Sequence, residues 1–289
     1  MNAAALFALL GIGILYFNAQ IILAIIAFAV VRLQGTATGL SGDFMQRLVS
    51  SMKLLAGPIR ISLLISQYLF MLLPTLWLVR RWHTLNVREY IRLKGTSFRE
   101  VLLAILGTMA ILPTGTFIAN EFTRRLGIPE PLRRINEEIF TAHSDGEFFW
   151  LVGVVAITPA ICEEIFFRGY VQRTFARTIG WKSVILVGVI FGLFHMQPLG
   201  LVTLSLLGVF FGYCYYRSRS LLPSMAAHFT NNFIAILLLY QTSRFGDIAS
   251  ADQIPVAWVL ISLPIAGIVL FAYHRTTAAL QRGDHENND

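Results

Sequence analysis

The chain has 289 residues, of which 56% are hydrophobic and only 13% are charged, and its mean hydropathy is +0.65. Soluble domains usually carry about a quarter charged residues, so this composition excludes an ordinary soluble protein and predicts a polytopic membrane protein. The net charge of +7 does not indicate nucleic-acid binding, because the arginines are distributed between apolar segments rather than gathered in one patch. We assign them to the flanks of membrane spans and to contacts with lipid headgroups. The two cysteines, Cys162 and Cys214, both lie in apolar runs and predict no disulfide framework.

Apolar runs of about 20 residues, the length that crosses a bilayer, recur along the chain. The first run has no basic leader and is too long for a signal peptide, so we expect it to be a retained span. The fifth run is short, and Pro198 and Gly200 separate it from the sixth, which predicts a hairpin. After Tyr273 we expect a polar, disordered tail. The sequence therefore predicts an all-α, polytopic bundle with eight candidate spans, at 4–31, 60–79, 101–119, 148–170, 183–197, 199–216, 221–241 and 255–273.

The connection at 120–147 mixes charged and apolar residues in a pattern typical of a helix lying at the membrane interface. It contains Glu137 and Glu138 with His143 nearby, and we interpret this group as part of a solvated face. Lysine and arginine are more numerous in the loops on the side of the two termini, which predicts that both termini are cytoplasmic.

Two adjacent carboxylates, Glu163 and Glu164, lie inside the predicted span 148–170. An ionised carboxylate within hydrocarbon costs several kcal/mol, so this pair is expected to have a partner or a wet cavity. Glu164 and Arg168 have the i, i+4 spacing of an ion pair on one helix face. Adjacent helical residues diverge by about 100°, so Glu163 points elsewhere and is free to act on a water molecule. The alternative is a buried ion pair that only locks helices together.

Polar residues in two later spans complete the pattern. Only two of the six histidines, His195 and His228, fall within predicted spans. His228 and Asn232 share one helix face, and each can donate a hydrogen bond to a developing oxyanion. Alone, each is more often a contact between helices, and Asn231 on another face is interpreted as packing or support. Together with Glu163 they supply a base, a partner for it and oxyanion donors, which are the parts needed for hydrolysis of a peptide bond by water.

The motifs Glu-Glu-x-x-x-Arg, Phe-x-x-x-His and His-x-x-x-Asn follow one another on successive spans. This combination resembles the CPBP family of CAAX proteases and bacteriocin-processing enzymes, also called ABI, which includes the Ras-converting type of CAAX prenyl endopeptidase. The resemblance covers 147–241 and implies a glutamate-type intramembrane endopeptidase with about eight spans around a cavity open to the cytosol. By the same resemblance, Glu163 with His195 activates water, while His228 and Asn232 hold the oxyanion.

The resemblance also implies supporting roles for Glu164, Arg168 and Phe191. It divides the chain into N-terminal spans with the interfacial connection (1–146), a catalytic core (147–241) and a last span with its tail (242–289). One difficulty is depth: His195 lies near the far end of a short span, whereas Glu163 lies in the middle of its own. A tilted or kinked fifth helix would bring the two together.

Expected partners are membrane lipids and a peptide or protein substrate at the membrane, lipidated or not, and we expect no nucleic acid and no cofactor. The length of the chain favours a prokaryotic plasma membrane. Two alternatives remain open. Glu163, His195 and His228 have the residue types of a three-ligand catalytic zinc site, although the sequence has no His-Glu-x-x-His helix. A non-catalytic scaffold or immunity protein of the same fold is the second alternative.

Overall fold

The computed structural model describes residues 2–33, 44–127, 137–246 and 254–286. These ranges contain helices joined by turns and short loops and contain no strand, so the all-α prediction is confirmed. The helices are α1 (Asn2–Leu33), α2 (44–82), α3 (Val87–Tyr90), α4 (Phe98–Arg125), α5 (137–140), α6 (Asp145–Ile179), α7 (Lys182–Phe194), α8 (Leu201–Ser218), α9 (Leu221–Phe245) and α10 (Val256–Glu286).

Each of the eight predicted spans coincides with a described helix. Within the described ranges, six of these helices are long and apolar enough to cross a membrane, namely α1, α2, α4, α6, α9 and α10. Helix α7 has 13 residues and is therefore about 20 Å long, shorter than a hydrocarbon core of about 30 Å. The chain is an integral, multi-pass membrane protein, and α7 is too short to cross the hydrocarbon core on its own.

Helices α7 and α8 form the predicted hairpin and pack closely because glycines line their interface. A Cβ atom on Gly188 would lie 2.5 Å from the backbone nitrogen of Val209. A Cβ atom on Gly192 would overlap the hydroxyl of Ser205. Small residues let helix backbones approach one another in a membrane, where dispersion contacts rather than the hydrophobic effect hold helices together. The hairpin fixes the end of α7 deep within the bundle.

Three wide-turned π-helical segments interrupt the long helices. In α2, the segment Ser66–Leu72 lies just before Pro74, and in α6 the segment Val152–Ile157 lies just before Pro159. A proline lacks an N–H donor, and its ring displaces the carbonyl one turn earlier, which a wider turn accommodates without breaking the helix. The third segment, Ile165–Gln172, follows no proline. Segments of this kind occur often at functional sites.

Several helices extend beyond the predicted spans, and one prediction is wrong. Helix α6 continues to Ile179, beyond the predicted end at 170. The prediction of a disordered tail after Tyr273 is wrong for residues 274–286, because α10 continues through them. The continuation is anchored by Arg217, which donates to the Thr277 hydroxyl and to the His274 carbonyl at 3.1 Å each. Residues 287–289 lie outside the described ranges.

The predicted interfacial connection is described only in part, because 128–136 lie outside the described ranges. Two residues that follow this gap contact buried Arg60 of α2. Arg60 donates to the Ile139 carbonyl at 2.8 Å and pairs with Glu147 at 3.0 Å. Glu137 is exposed, and Glu138 pairs with the exposed ring of His143 at 2.9 Å. These contacts agree with the interpretation of this group as part of a solvated face.

Candidate active site

Glu163 and Glu164 lie at the centre of α6, immediately before its third π-helical segment. Glu164 is fully buried, and Glu163 is 8% exposed. Helix α6 contacts α9 and the π-helical part of α2, and it also packs against α7. These neighbours supply the partners that two carboxylates within the membrane need.

Glu164 is the centre of a buried charged network. Its Oε1 accepts a hydrogen bond from Arg168 Nη1 at 2.8 Å and another from His228 Nδ1 at 2.9 Å. Arg168 also donates from Nη2 to the Gly208 carbonyl of α8 at 3.0 Å. The ion pair predicted from the i, i+4 spacing is therefore confirmed. The contact with His228 was not predicted, since sequence spacing gives no information on which face of α9 meets α6.

Aromatic rings surround the Arg168 guanidinium and connect the two histidines. The guanidinium carbon lies 4.5 Å from the ring centroid of Phe191 and 5.5 Å from that of Phe211. Phe211 stacks on the His228 ring at 5.2 Å, and Phe191 contacts the His195 ring at 4.6 Å. The negative face of an aromatic ring attracts a cation, so the Phe191 ring stabilises the Arg168 guanidinium. The same ring also contacts the imidazoles of His195 and His228.

Glu163 is held by the N-terminal part of the chain. Gln67 of α2 donates from Nε2 to Glu163 Oε1 at 2.7 Å, and the same nitrogen lies 3.4 Å from the Tyr16 hydroxyl of α1. Neither Gln67 nor Tyr16 was predicted from the sequence to belong to the site. A polar glutamine inside the predicted span 60–79 was the available signal, because polar residues within spans usually have a specific partner.

The second oxygen of Glu163 faces a histidine. Glu163 Oε2 lies 3.9 Å from His195 Nε2 and has no hydrogen-bond partner. His195 follows the last residue of α7, and its Nδ1 lies 2.8 Å from the Phe191 carbonyl. A carbonyl only accepts, so Nδ1 carries a hydrogen and Nε2 of the neutral ring presents a lone pair towards Glu163.

The difficulty of depth is resolved by the shortness of α7. We expected a tilted or kinked helix to bring His195 to the depth of Glu163. Instead α7 ends after 13 residues, and its C-terminal end lies beside the middle of α6. A helix of about 20 Å that starts at one membrane surface ends inside the hydrocarbon core.

The predicted oxyanion donors, His228 and Asn232, both lie on α9, and each uses one donor within the protein. His228 uses Nδ1 on Glu164. Asn232 donates from Nδ2 to the Val155 carbonyl at 2.8 Å, which leaves its second N–H unassigned. Asn231 donates to Asn232 Oδ1 at 2.9 Å, in agreement with the interpretation of Asn231 as support.

The residues named for a zinc site are not gathered as a ligand set. The Nδ1 atom of His228 contacts Glu164 rather than Glu163. Over the described ranges, no group of three or more histidine, cysteine, aspartate and glutamate side chains is arranged to hold a metal ion. Cys162 and Cys214 are buried free thiols, as the sequence predicted.

Comparison with protein-family models gives one finding. Residues 145–234 match the family described as Type II CAAX prenyl endopeptidase Rce1-like. This part of the chain is similar to that family, and we refer to it as the Rce1-like segment. No curated protein and no solved structure matches the chain. The Rce1-like segment runs from α6 into α9 and contains all four residues predicted to be catalytic, and the match supports an intramembrane endopeptidase of the CAAX type.

Proposed function

We propose that this protein is an intramembrane endopeptidase in which Glu163 and His195 activate a water molecule. The observation that carries the proposal is the pair of atoms Glu163 Oε2 and His195 Nε2, which face each other at 3.9 Å within the Rce1-like segment. The carboxylate oxygen is buried without a partner, and the ring nitrogen presents a lone pair. Two acceptors at this separation suit a molecule that donates to both.

Water fits between these two acceptors. Their separation is longer than a direct hydrogen bond, but one water oxygen at about 2.8 Å from each makes an angle of about 90° at that oxygen. Such a water donates one hydrogen to Glu163 and the other to His195. Its lone pairs then remain for attack on a carbonyl carbon.

The reaction follows from this arrangement. The water oxygen forms a bond to the carbonyl carbon of the substrate while Glu163 accepts one of its protons. The tetrahedral intermediate then collapses, the C–N bond breaks, and the leaving amine takes the proton from Glu163. Gln67 holds Oε1 of Glu163 throughout, so Oε2 stays directed at the water.

Asn232 and His228 would stabilise the oxyanion. Asn232 has a second N–H beyond the one that binds the Val155 carbonyl. His228 donates from Nδ1 to Glu164, so Nε2 donates only when the ring carries both protons. In that doubly protonated form, the cationic ring of His228 donates from Nε2 to the oxyanion.

The proposed substrate is a peptide or protein associated with the membrane, either lipidated or unlipidated. We propose that both termini are cytoplasmic, on the basis of the distribution of lysine and arginine along the sequence. We further propose that the membrane is a prokaryotic plasma membrane.

The proposal is tested by comparing peptide termini in membranes that contain the wild-type protein, Glu163→Ala or His195→Ala at equal abundance. Glu137→Ala is the matched control, because Glu137 is an exposed carboxylate beside another glutamate and outside the site. We expect a set of new termini with the wild type and the control that is absent with both site variants. Identical termini in all four membranes would support a non-catalytic scaffold instead.

A further inference from the structure

A basic cavity of about 360 Å³ lies at the end of α6 remote from the glutamates. Most of its lining is arginine, from the segment after α3, from α6 and from the C-terminal end of α8. The five residues are Arg92, Arg173, Arg177, Arg217 and Arg219. Arg173 follows Glu163 by ten residues, so the cavity lies about 15 Å along the helix from the candidate active site.

Four of the five arginines that line this cavity have no carboxylate partner within the described ranges. Among the described residues, Arg92, Arg173, Arg177 and Arg219 make no ion pair with a carboxylate. Arg92 and Arg177 are close enough to repel Arg173 electrostatically. A bound anion would relieve this repulsion, and guanidinium groups bind phosphate oxygens in a bidentate manner.

The protein holds three of these arginines by contacts that leave their charge intact. Arg173 and Arg177 lie 4.6 and 5.2 Å from the ring centroid of Tyr90, and Arg92 lies 5.4 Å from that of Tyr215. The hydroxyl of Tyr215, buried beside the same arginines, has no hydrogen-bond partner. The guanidinium groups are therefore positioned before any ligand binds.

An apolar groove of about 830 Å³ adjoins the basic cavity. It lies between α4, α7, α8 and α10, and its walls include Ile111, Leu206, Phe210 and Leu270. Tyr216 and Arg217 line both spaces, so the groove and the cavity meet at these two side chains. A ligand that fills both has an anionic end joined to an apolar chain.

We propose that the cavity and the groove together bind an anionic phospholipid, with its phosphate among the arginines and an acyl chain in the groove. Basic pockets between membrane helices bind lipid headgroups through charge. A phospholipid also supplies the apolar chain that the adjoining groove requires. This site is separate from the candidate active site and stands whether or not the protein cleaves peptides.

The test uses the full chain in nanodiscs of phosphatidylcholine, with or without phosphatidylglycerol, and measures the thermal midpoint of unfolding. We expect phosphatidylglycerol to raise the midpoint of the wild type, since a ligand that binds only the folded state stabilises it. The double variant Arg177→Gln and Arg219→Asn should lose more than half of that rise. The matched control, Arg80→Gln with Arg81→Gln, removes the same charge at exposed positions outside the cavity and should keep it.

Two further arms separate a lipid from a soluble anion. Gly267 lines the groove, and a Cβ atom there meets no other atom within 4 Å. Gly267→Phe should therefore fold, fill the groove and abolish the effect of phosphatidylglycerol while the arginines remain. Inorganic phosphate added to phosphatidylcholine nanodiscs should leave the midpoint unchanged.

The proposal is overturned if the cavity and groove variants respond to phosphatidylglycerol like the wild type. It is also overturned if inorganic phosphate alone reproduces the whole rise and Gly267→Phe retains it, since a soluble anion then suffices. If the double variant does not fold, Arg219→Asn alone provides the test. Arg219 has φ +53°, a left-handed conformation that asparagine adopts readily.

Discussion

Glu163 and His195 lie on different helices, yet their Oε2 and Nε2 atoms face each other at 3.9 Å inside the membrane-spanning bundle. Three features produce this relationship. Gln67 occupies the other oxygen of Glu163, the Phe191 carbonyl fixes the His195 ring, and α7 ends at the depth of the carboxylate. Each feature leads to a measurable expectation.

Gln67 orients the proposed base, so Gln67→Leu is expected to lower kcat about tenfold or more without unfolding the protein. Loss of this hydrogen bond frees the carboxylate to rotate and leaves Oε1 unpaired, at a cost of about 1–3 kcal/mol. Gln172→Leu is the matched control. Gln172 is equally buried, but it donates to the Gly212 carbonyl and not to Glu163. If both variants lower the thermal midpoint equally and neither changes kcat, Gln67 is a structural residue only.

Arg168 and Glu164 form a fully buried ion pair. Removal of one partner leaves an uncompensated charge, so Arg168→Met or Glu164→Gln is expected to cost about 3–5 kcal/mol of the free energy of unfolding. The double variant should be less destabilised than the sum of the two single variants, because it buries no lone charge. Thermal or denaturant unfolding in detergent measures all three values. Additive effects would contradict the inferred coupling.

Asn232 and Asn231 are neighbours with different expected roles. Asn232→Leu should lower kcat by about 10²–10³ with little change in KM, since an oxyanion donor acts in the transition state. Asn231→Leu should have a smaller effect, because its amide donates to the Asn232 side chain and would act on a substrate only through it. Steady-state kinetics on a cleaved peptide checks this pair. Equal losses, or a change confined to KM, would remove Asn232 from the proposed oxyanion site.

Activity is expected to survive a strong chelator. The reason is geometric: His228 contacts Glu164, and no three-ligand group is gathered over the described ranges. Dialysis against the chelator, followed by an assay and measurement of bound zinc, tests this expectation. Loss of activity that added zinc restores would favour the alternative of a zinc protease.

Much of the fold and most of the candidate site were predictable from the sequence. Apolar length alone located eight of the ten helices in the described ranges, and the i, i+4 rule identified the pair of Glu164 with Arg168. Contacts between helices were not predictable in the same way. Gln67 of α2, which donates to Glu163, is 96 residues away from it in sequence, and Tyr16 of α1, which contacts Gln67, is farther still. No local pattern specifies which faces of distant helices meet.

Two further misses have local causes. The tail after Tyr273 was predicted to be disordered because it is polar, but His274 and Thr277 hold it against α8 through Arg217. The depth of His195 stayed a difficulty because the sequence shows that the fifth run is short but not where its helix ends. A helix of 13 residues that ends inside the bundle has the same composition as a span, so length was the only signal.

The most direct test of the central claim is the cleavage rate of purified protein in nanodiscs on a mixed pool of membrane-anchored peptides, measured by mass spectrometry. Glu163→Gln keeps the size of the side chain and an acceptor for Gln67 but removes the base. We expect its rate to fall at least a hundredfold with an unchanged thermal midpoint, whereas Glu137→Gln cleaves like the wild type. Equal cleavage by Glu163→Gln and the wild type would contradict catalysis by a glutamate-activated water.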